Sequence, residues 1–330
     1  LAQGALAAAM EVSSIGLHQG RVNGVHFDVA VFTNLTRDHL EYHGSMEAYG
    51  AAKEQLFAAP GLKAAVLNLD DALGRKIARD LVGRGVPVTG YTLRGEVAPG
   101  VDVLLAAENI AATPRGLRFT AVTPQGRADI DAALVGEFNV ANLLAVMGTL
   151  LASGVPLHRA AAVLRRLTSS PGRMQAVGGE GQPLAVIDYA HTPDALDKAL
   201  AALAGAAAAR GGRLVCVFGC GGNRDPGKRP QMGDVAARRA DAVILTSDNP
   251  RDEDPQAILA DIVRGAPGAR TIADRGEAIR AALAEADARD VVLIAGKGHE
   301  SYQEIAGRRL PFSDVDCAVA ALAGRGGPSR

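Results

Sequence analysis

Four short polar segments carry the residue types that could bind or transform a small charged molecule. Each follows a predicted strand, and they cover residues 188–191, 219–222, 248–251 and 296–300. The third combines Asp248, Asn249 and Arg251, which suits an amino acid, because its ammonium pairs with a carboxylate and its carboxylate pairs with arginine. A surface turn explains such a loop equally well. The carboxylates and histidines of the first and last segments could transfer protons or, equally, orient or bind a substrate.

The glycine-rich stretch after the second of these strands resembles two nucleotide-binding loops without matching either. Residues 219–224 place Arg224 where a dinucleotide fingerprint needs its third glycine, which excludes a dehydrogenase. Residues 222–229 have phosphate-loop spacing, but Arg229 stands where a serine or threonine must hold magnesium. We interpret this stretch as a cradle for an anion or carboxylate, with a solvated basic turn as the alternative.

Lys53 lies on an apolar stripe of a predicted helix over residues 45–58. A lysine on an inward face is costly unless its ammonium is paired or chemically altered. It could be a snorkelling side chain, with its charge kept in water. Alternatively, carbon dioxide could carbamylate it into an oxygen ligand for magnesium.

Glu11 and His39 are two further candidate metal ligands. Glu11 ends the apolar run 7–10, and His39 follows the predicted strand 28–35 at its carboxyl end. A histidine beside an aspartate is more often structural than a ligand. Together with Lys53, however, these residues could form a divalent-cation site of hard or borderline ligands.

Short β-rich apolar runs alternate with helical patterns along the chain, as in βαβ units. The predicted strands cover residues 28–35, 64–70, 86–93, 101–110, 116–122, 184–189, 214–218, 242–247 and 291–295. The predicted helices cover residues 45–58, 71–82, 139–152, 156–167, 255–264 and 277–286, and another helix begins at Thr192-Pro193. The uncharged run 138–157 fits one helix and a turn.

These patterns predict an α/β fold of mostly parallel sheets with flanking helices in two domains. The turn-rich stretch 168–175 is the predicted boundary, with domains over residues 1–170 and 171–330. The second domain is expected to be doubly wound and Rossmann-like. In such a sheet the loops gather at the carboxyl ends of the strands, where ligands bind.

Composition excludes several classes of protein. The chain has 330 residues, 48% of them apolar, which argues against disorder. Its 35 basic and 36 acidic residues provide no basic excess for a nucleic-acid partner. Three cysteines are too few for a secreted disulfide framework, so a cytoplasmic protein is expected, without membrane insertion or a signal peptide.

Nine motifs, in order along nearly the whole chain, make the sequence recognisable. They are MEVSSIGL, TNLTRDHLEYHG, EAYGAAKE, GEFNVAN, PGRM, DYAHTPDAL, FGCGGNRDPGKRP, DNPRDEDP and GKGHESYQ. The set closely resembles the Mur ligases of peptidoglycan synthesis, and above all the members that add 2,6-diaminopimelate. Any one of these motifs would be a weak signal, whereas nine in register are highly specific.

The resemblance implies ATP-dependent amide formation. In this reaction the D-glutamyl carboxylate of UDP-MurNAc-L-Ala-D-Glu becomes an acyl phosphate, and the amine of meso-diaminopimelate displaces phosphate from it. ATP and Mg²⁺ are the implied cofactors, because magnesium and cationic groups offset the repulsion between phosphate and carboxylate. We also expect a monomer.

Motif by motif, the resemblance assigns roles to individual residues of this chain. It implies magnesium binding and catalysis by Glu11, His39 and Lys53, with Lys53 carbamylated. It implies nucleotide-sugar binding by Ser13, Gln19, Arg21 and Lys53, and ATP binding by Asn139, Arg173, Asp188 and His191. It implies diaminopimelate binding by Arg229, Asp248, Asn249, Pro250, Arg251, Gly296 and Glu300.

The DNPR form of the 248–251 loop is the one seen in diaminopimelate-adding members. Arg251 would hold the carboxylate that lysine lacks, and a site that desolvates this arginine should reject a ligand that leaves it unpaired. Ile15 departs from the family, which commonly has histidine there. The family's phosphate loop and uridine-binding domain should precede Leu1, so the chain alone is expected to be an inactive fragment.

Two alternatives remain open. The first keeps the ligase chemistry with L-lysine as acceptor; folate conjugation is disfavoured by the MEVSS and DNPR motifs. The second is a non-catalytic module that binds an amino acid.

Overall fold

The computed structural model describes residues 4–36 and 39–325, and these form two compact units. The N-terminal unit comprises residues 4–108, 120–129 and 140–164, and the C-terminal unit comprises residues 109–119, 130–139 and 165–325. Two segments that precede the predicted boundary at 168–175 therefore belong to the C-terminal unit. Within the described residues, no helix is long and apolar enough to cross a membrane.

The first half of the chain forms a six-stranded sheet with the order β1-β2-β3-β4-β5-β6. Its strands are β1 (Val29–Phe32), β2 (Ala64–Asn68), β3 (Val88–Thr92), β4 (Val103–Thr113), β5 (Gly116–Thr123) and β6 (Gly126–Ala132). Its helices are α1 (Ser14–His18), α2 (Leu40–His43), α3 (Met46–Glu54), a 3-10 turn (Gln55–Ala58), α4 (Ala72–Asp80), α5 (Phe138–Ala152) and α6 (Leu157–Leu164). Strands β1 to β4 are parallel.

Helix α5 packs closely on this sheet because it carries a glycine at the contact. A Cβ on Gly148 would lie 2.9 Å from Cγ1 of Val66 in β2. The helix covers most of the uncharged run 138–157, as the sequence predicts. On another side of the sheet, Ile77 and Leu81 pack beside Phe32 and Leu67 in one apolar cluster.

The second half of the chain forms a six-stranded sheet with the order β11-β10-β9-β12-β8-β7. Its strands are β7 (Gln175–Gly178), β8 (Leu184–Asp188), β9 (Leu214–Phe218), β10 (Ala242–Leu245), β11 (Arg270–Thr271) and β12 (Val291–Ala295), followed by the hairpin β13 (Tyr302–Ile305) and β14 (Arg308–Pro311). Its helices are α7 (Pro193–Arg210), α8 (Lys228–Arg239), α9 (Pro255–Val263), α10 (Arg275–Glu285) and α11 (Asp314–Gly324). All strands of the sheet are parallel except β7.

This second sheet is doubly wound. Alternate side chains of β8, β9 and β12 enter two separate apolar clusters, one shared with α7, α8 and α9 and the other with α10 and α11. Because successive strand residues point to opposite faces, a strand buried on both sides reads as a continuous apolar run. The predicted Rossmann-like α/β fold is confirmed. Cys216 and Cys220 are buried in the first cluster.

Predicted and observed elements differ in three ways. Most predicted strands and helices extend one to three residues too far, and the predicted helix 45–58 changes to a 3-10 turn after Glu54. Helix α8 is absent from the prediction because its polar sequence and Pro230 hide the helical periodicity. The short elements α1, α2, β7, β11 and the hairpin β13–β14 are also absent from it, since short elements carry few periodic positions. The longer elements β6 and α11 are absent from it as well.

Candidate functional site

The polar loops of the C-terminal unit meet at one edge of its sheet. A Cβ on Gly296, which has φ +116°, would lie 3.1 Å from Oδ2 of Asp248, and a Cβ on Gly222 would lie 2.0 Å from the carbonyl oxygen of Pro250. The loops after β9, β10 and β12 therefore approach so closely that two positions require glycine. This confirms the predicted gathering of loops at the carboxyl ends of the parallel strands.

A fully buried lysine lies at the centre of these loops. Nζ of Lys297 donates to Oδ1 of Asn249 at 2.9 Å and to Oε2 of Glu300 at 3.0 Å, and it lies 3.5 Å from Oδ1 of Asp248. The amide of Asn249 also donates to Oε2 of Glu300, at 2.9 Å. Sequence reasoning assigned no role to Lys297. The sequence feature that could have identified it is a single charged residue between two glycines at the end of a fully apolar strand.

The two carboxylates beside Lys297 are held in different ways. Glu300 accepts from two donors, and although burial alone would raise the pKa of this carboxyl group, Asn249, Lys297 and Arg251 lower it below its usual value. Asp248 is buried, and its Oδ1 makes no hydrogen bond within the described residues. A buried acceptor without a donor is costly, so this loop favours a cationic group on a ligand.

Arg251 occupies a strained position at the end of the loop after β10. Its φ of +53° lies in the left-handed region, where residues other than glycine are uncommon and often functional. Nη1 donates to the carbonyl oxygen of Gly222 at 2.7 Å, and Nε lies 3.6 Å from Oε2 of Glu304. Within the described residues, Nη2 makes no hydrogen bond, so one edge of the guanidinium could receive a carboxylate.

Arg229 binds carboxylates of the chain itself. In α8 its terminal nitrogens lie 2.8 Å from Oε2 of Glu253 and 3.0 Å from Oδ2 of Asp261. Burial would lower the pKa of this guanidinium, but the two carboxylates raise it. Arg229 therefore ties α8 to α9 and to the loop between β10 and α9.

The anion cradle predicted over residues 222–229 is not formed. The amide of Gly222 donates to the carbonyl oxygen of Asn249 at 2.9 Å, and the amide of Asn223 donates to Glu253. The amide of Gly227 donates to Asp225, and Nζ of Lys228 to the carbonyl oxygen of His191, both at 2.8 Å. The prediction is wrong for the backbone of this stretch, because acceptors of the chain itself already occupy these amides.

A second group of predicted residues lies at the carboxyl end of β8. Asp188 accepts from the amides of Met174 and Ala190, at 2.8 and 2.9 Å. Burial raises the pKa of the Asp188 carboxyl group, and these two bonds with Arg173 only partly oppose that rise. The guanidinium of Arg173 lies 5.1 Å from the centre of the Tyr189 ring, a cation–π contact.

Tyr189, which the sequence analysis did not single out, links the remaining members of this group. Its ring lies 4.6 Å from the ring of His191 and 6.0 Å from that of His299, so residues after β8 and β12 share one aromatic surface. Asn139 is the second residue of α5, and its side-chain amide donates to the carbonyl oxygen of Val135 at 2.8 Å.

The predicted magnesium ligands belong to the N-terminal unit. Nζ of Lys53 lies 5.1 Å from the centre of the Tyr49 ring, and the centre of the His39 ring lies 6.0 Å from the centre of the same Tyr49 ring. Both side chains thus contact Tyr49, and both are half-buried. Glu11 is exposed in an irregular stretch before α1. Within the described residues, no three histidine, cysteine or carboxylate side chains are clustered as a metal site.

The predicted nucleotide-sugar ligands lie at the two ends of α1. Ser13 is the N-cap, and its hydroxyl accepts from the amide of Gly16 at 3.0 Å. Gln19 is the C-cap, and the amide of Arg21 donates to the carbonyl oxygen of Gly16 at 2.9 Å. The three side chains are exposed.

A buried ion pair that the sequence did not predict lies behind the loops of the C-terminal unit. Arg275 and Asp314 are fully buried and form two parallel hydrogen bonds of 2.7 Å. Burial would lower the pKa of Arg275, but Asp314 raises it. Arg275 also donates to the carbonyl oxygens of Ser247 and Ala295, at 3.3 and 3.0 Å. The pair therefore ties α10 and α11 to the ends of β10 and β12.

Comparisons with known proteins agree with this architecture. The protein named UDP-N-acetylmuramoyl-L-alanyl-D-glutamate–2,6-diaminopimelate ligase from Chromobacterium violaceum is 58% identical over 323 residues, which cover 97% of this chain and 64% of that protein. Its Pseudomonas aeruginosa counterpart is 51% identical with the same coverage. A solved structure of a ligase with this name is 41% identical, with a TM-score of 0.75, and the match covers 99% of this chain and 66% of that one.

The chain spans about 64% of the length of the curated relatives it matches. Residues 1–150 match the family described as Mur ligase middle domain, and residues 172–298 match the family described as Mur ligase, glutamate ligase domain. A folylpolyglutamate synthase from Mycobacterium tuberculosis shares the fold at 20% identity, with a TM-score of 0.61 over 93% of this chain and 66% of that one. Since both matching domains are parts of one kind of enzyme and together account for most of the sequence, the chain belongs to the Mur ligase family.

Proposed function

We propose that this chain carries the later ATPase part and the amino-acid-binding part of an ATP-dependent ligase that adds meso-2,6-diaminopimelate to UDP-MurNAc-L-Ala-D-Glu. One observation carries the proposal: the 248–251 loop and the 296–300 loop join two carboxylates and a partly engaged arginine in one place. This donor and acceptor set fits an amino acid. Relatives more than 50% identical to this chain are named for that reaction.

In the amino-acid subsite, Asp248 and Glu300 receive an ammonium group, and Arg251 receives a carboxylate. Diaminopimelate has a second carboxylate where lysine has none. A lysine bound here would leave the guanidinium of Arg251 without that partner, which disfavours it as a substrate. The backbone of Pro250 and Gly296 shapes this subsite. Arg229 supports it from α8, with its terminal nitrogens held by Glu253 and Asp261.

The residues at the end of β8 form the proposed ATP-binding side of the same unit. Asp188 fixes the turn that carries Arg173 by accepting the amide of Met174. Arg173 and His191 flank the Tyr189 ring and offer positive or hydrogen-bonding groups to phosphate, with Asn139 as a further ligand. When bound, ATP supplies the phosphoryl group that activates the glutamyl carboxylate; the amine then forms the amide bond, and phosphate leaves.

For magnesium, the chemistry of the side chains fits in part. His39 and Lys53 both contact Tyr49, and Lys53 as a carbamate would present oxygen to the cation, with Glu11 as the third ligand. Bound magnesium offsets the negative charge of the phosphates and the carboxylate. Ser13, Gln19 and Arg21, around α1, are the proposed ligands of the nucleotide sugar.

The proposed domains follow the family. Residues 1–170 correspond to the later part of the central ATPase domain, and residues 171–330 correspond to the C-terminal amino-acid-binding domain. We also propose a cytoplasmic monomer. Support for a reducing compartment comes from the free thiols of Cys216, Cys220 and Cys317.

The deciding experiment measures phosphate release by a chimera. This chain is joined to the part of the Chromobacterium violaceum relative that it does not match, and ATP, Mg²⁺ and UDP-MurNAc-L-Ala-D-Glu are supplied. Meso-diaminopimelate and L-lysine are compared in parallel. We expect release with diaminopimelate only. Release with lysine only would keep the ligase and reject the specificity, whereas silence with both, from a folded protein, would favour a binding module.

A further inference from the structure

We infer that Lys297 is a positioning residue of the amino-acid subsite, and that its ammonium group holds Asn249 and Glu300 in the orientation that receives the ammonium group of the bound amino acid. This inference rests on the proposed function. It concerns a residue that touches the neighbours of the substrate and not the substrate itself.

The burial of Lys297 requires an explanation. Of the six lysines in the sequence, Lys297 is fully buried, with no accessible surface. Taking an ammonium group out of water is very costly unless acceptors surround it. Lys297 has two, Oδ1 of Asn249 and Oε2 of Glu300, and Oδ1 of Asp248 lies 3.5 Å from the ammonium group. They come from the loop after β10 and the loop after β12, so a single side chain joins the two loops that form the subsite.

The hydrogen bonds around Lys297 close a triangle. Asn249 receives the lysine through Oδ1 and donates through Nδ2 to the same glutamate oxygen that the lysine binds. Oδ1 of Asn249 also accepts from the amide of Glu304 at 2.9 Å, which anchors the triangle to β13. Without the ammonium, Glu300 would retain only one of its two donors and could turn away from the subsite.

The charges around Lys297 also match the proposed ligand. Asp248 and Glu300 bring two negative charges and Lys297 one positive charge, which leaves one negative charge for one incoming ammonium. The other charged groups packed around Glu300 are Arg251 and Arg275. Arg251 lies beside Glu304, and Arg275 is paired with Asp314. Lys297 is therefore the cation that sets the charge available to the substrate.

The test measures the affinity of this chain for meso-diaminopimelate by calorimetry between pH 5 and pH 8. Lys297→Met keeps most of the length of the side chain and removes its charge, Lys297→Arg keeps the charge, and Lys198→Met is the control at an exposed lysine. We expect Lys297→Met to bind at least ten-fold more weakly at pH 7, Lys297→Arg to recover part of that loss, and Lys198→Met to match the wild type.

The pH dependence separates positioning from general structural support. Without the ammonium beside it, Glu300 should take up a proton at higher pH, so the loss of affinity on acidification should begin at higher pH in Lys297→Met. If Lys297 has a purely structural role, Lys297→Met should weaken binding equally at every pH, and that result would overturn the inference. Binding by Lys297→Met with wild-type affinity would also overturn it. If the wild type binds no amino acid, the proposed function itself fails, and this assignment fails with it.

A second measurement decides the matter if Lys297→Met does not fold. The ε-carbons of the six lysines are labelled with ¹³C, and the Lys297 resonance is identified by its loss in Lys297→Arg. If that variant also fails to fold, Lys→Arg changes at the other five lysines identify it by elimination. We expect the Lys297 resonance to shift when meso-diaminopimelate saturates the chain. A resonance unchanged by the bound ligand would show that the triangle does not respond to the subsite.

Discussion

The two candidate sites of this chain are built in different ways. In the C-terminal unit, the charges of Asp248, Lys297 and Glu300 are mostly removed from water and contact one another. In the N-terminal unit, Glu11 is exposed, and His39 and Lys53 are half-buried against one tyrosine ring. The first site is held by contacts of its own charges with Lys297, whereas in the second set His39 and Lys53 share an aromatic neighbour.

The difference follows from the backbone that carries each set. The loops of the C-terminal unit begin where hydrogen-bonded parallel strands end, so the sheet fixes their starting points. In the N-terminal unit, Glu11 lies before a five-residue helix, and His39 precedes a four-residue helix. Preorganisation comes from rigid elements, and a site on irregular backbone depends more on its ligands to complete it.

The largest effect is expected at the ion pair behind the C-terminal loops. Arg275→Leu leaves the fully buried carboxylate of Asp314 without its partner, so the free energy of unfolding should fall by about 3–5 kcal/mol. Lys76→Met removes a lysine that bridges Glu54 and Asp80 on the surface of the N-terminal unit, and should cost about 1 kcal/mol or less. Urea denaturation of both variants gives the comparison. Equal losses in the free energy of unfolding would mean that the buried ion pair contributes no more to stability than the exposed one.

The preference for diaminopimelate over L-lysine should depend on Arg251. Arg251→Ala removes the proposed partner of the second carboxylate of diaminopimelate, and a hydrogen bond to a charged group contributes about 1.5–3 kcal/mol. Affinity for diaminopimelate should therefore fall about ten- to one-hundred-fold, while affinity for L-lysine changes little. Calorimetry with both ligands measures the ratio. The assignment of Arg251 would be refuted by an equal loss for both amino acids.

Much of the C-terminal site could be predicted from local sequence. The strands β9 and β12 match their predictions to the residue, because continuous apolar runs are bounded by glycine and charged residues. The gathering of their loops then follows from parallel topology alone. Periodicity and spacing gave the fold class, and the motifs proposed Asp248, Arg251 and Glu300.

Long-range pairing could not be predicted in the same way. Arg275 and Asp314 are 39 positions apart, and neither has a neighbour that reveals the other. Arg229 illustrates the same difficulty. The sequence indicated a basic turn, but it did not indicate that Glu253 and Asp261 form ion pairs with the terminal nitrogens of Arg229. Local patterns report the period of an element, whereas the partner of a buried charge depends on the tertiary fold.

Carbamylation of Lys53 would make the candidate site of the N-terminal unit more like that of the C-terminal unit, because it would add a charged group that can bind a ligand. When the chain is incubated with ¹³C-bicarbonate and Mg²⁺, we expect a carbamate resonance that Lys53→Arg abolishes and Lys297→Arg leaves unchanged. In Lys53→Met, the loss of the cation–π contact with Tyr49 should by itself lower the free energy of unfolding by about 0.5–1 kcal/mol. A carbamate resonance that survives in Lys53→Arg would assign the reaction to another amine. No resonance from the wild type would remove the carbamate from the proposal.

An effect of similar size is expected at Glu300, and it depends on pH. Because the pKa of its carboxyl group is lowered in the folded chain, its stabilising contribution is present above the unfolded pKa and disappears as the pH falls through the folded pKa. Glu300→Gln should therefore cost about 1 kcal/mol at pH 7, and progressively less as the solution becomes acidic. Urea denaturation from pH 7 to pH 3 measures this, with Glu180→Gln, on an exposed side chain, as the control. If the loss in the free energy of unfolding stays constant down to pH 3, Glu300 stabilises the fold through packing and uncharged hydrogen bonds. In that case the negative charge of its carboxylate contributes nothing to stability.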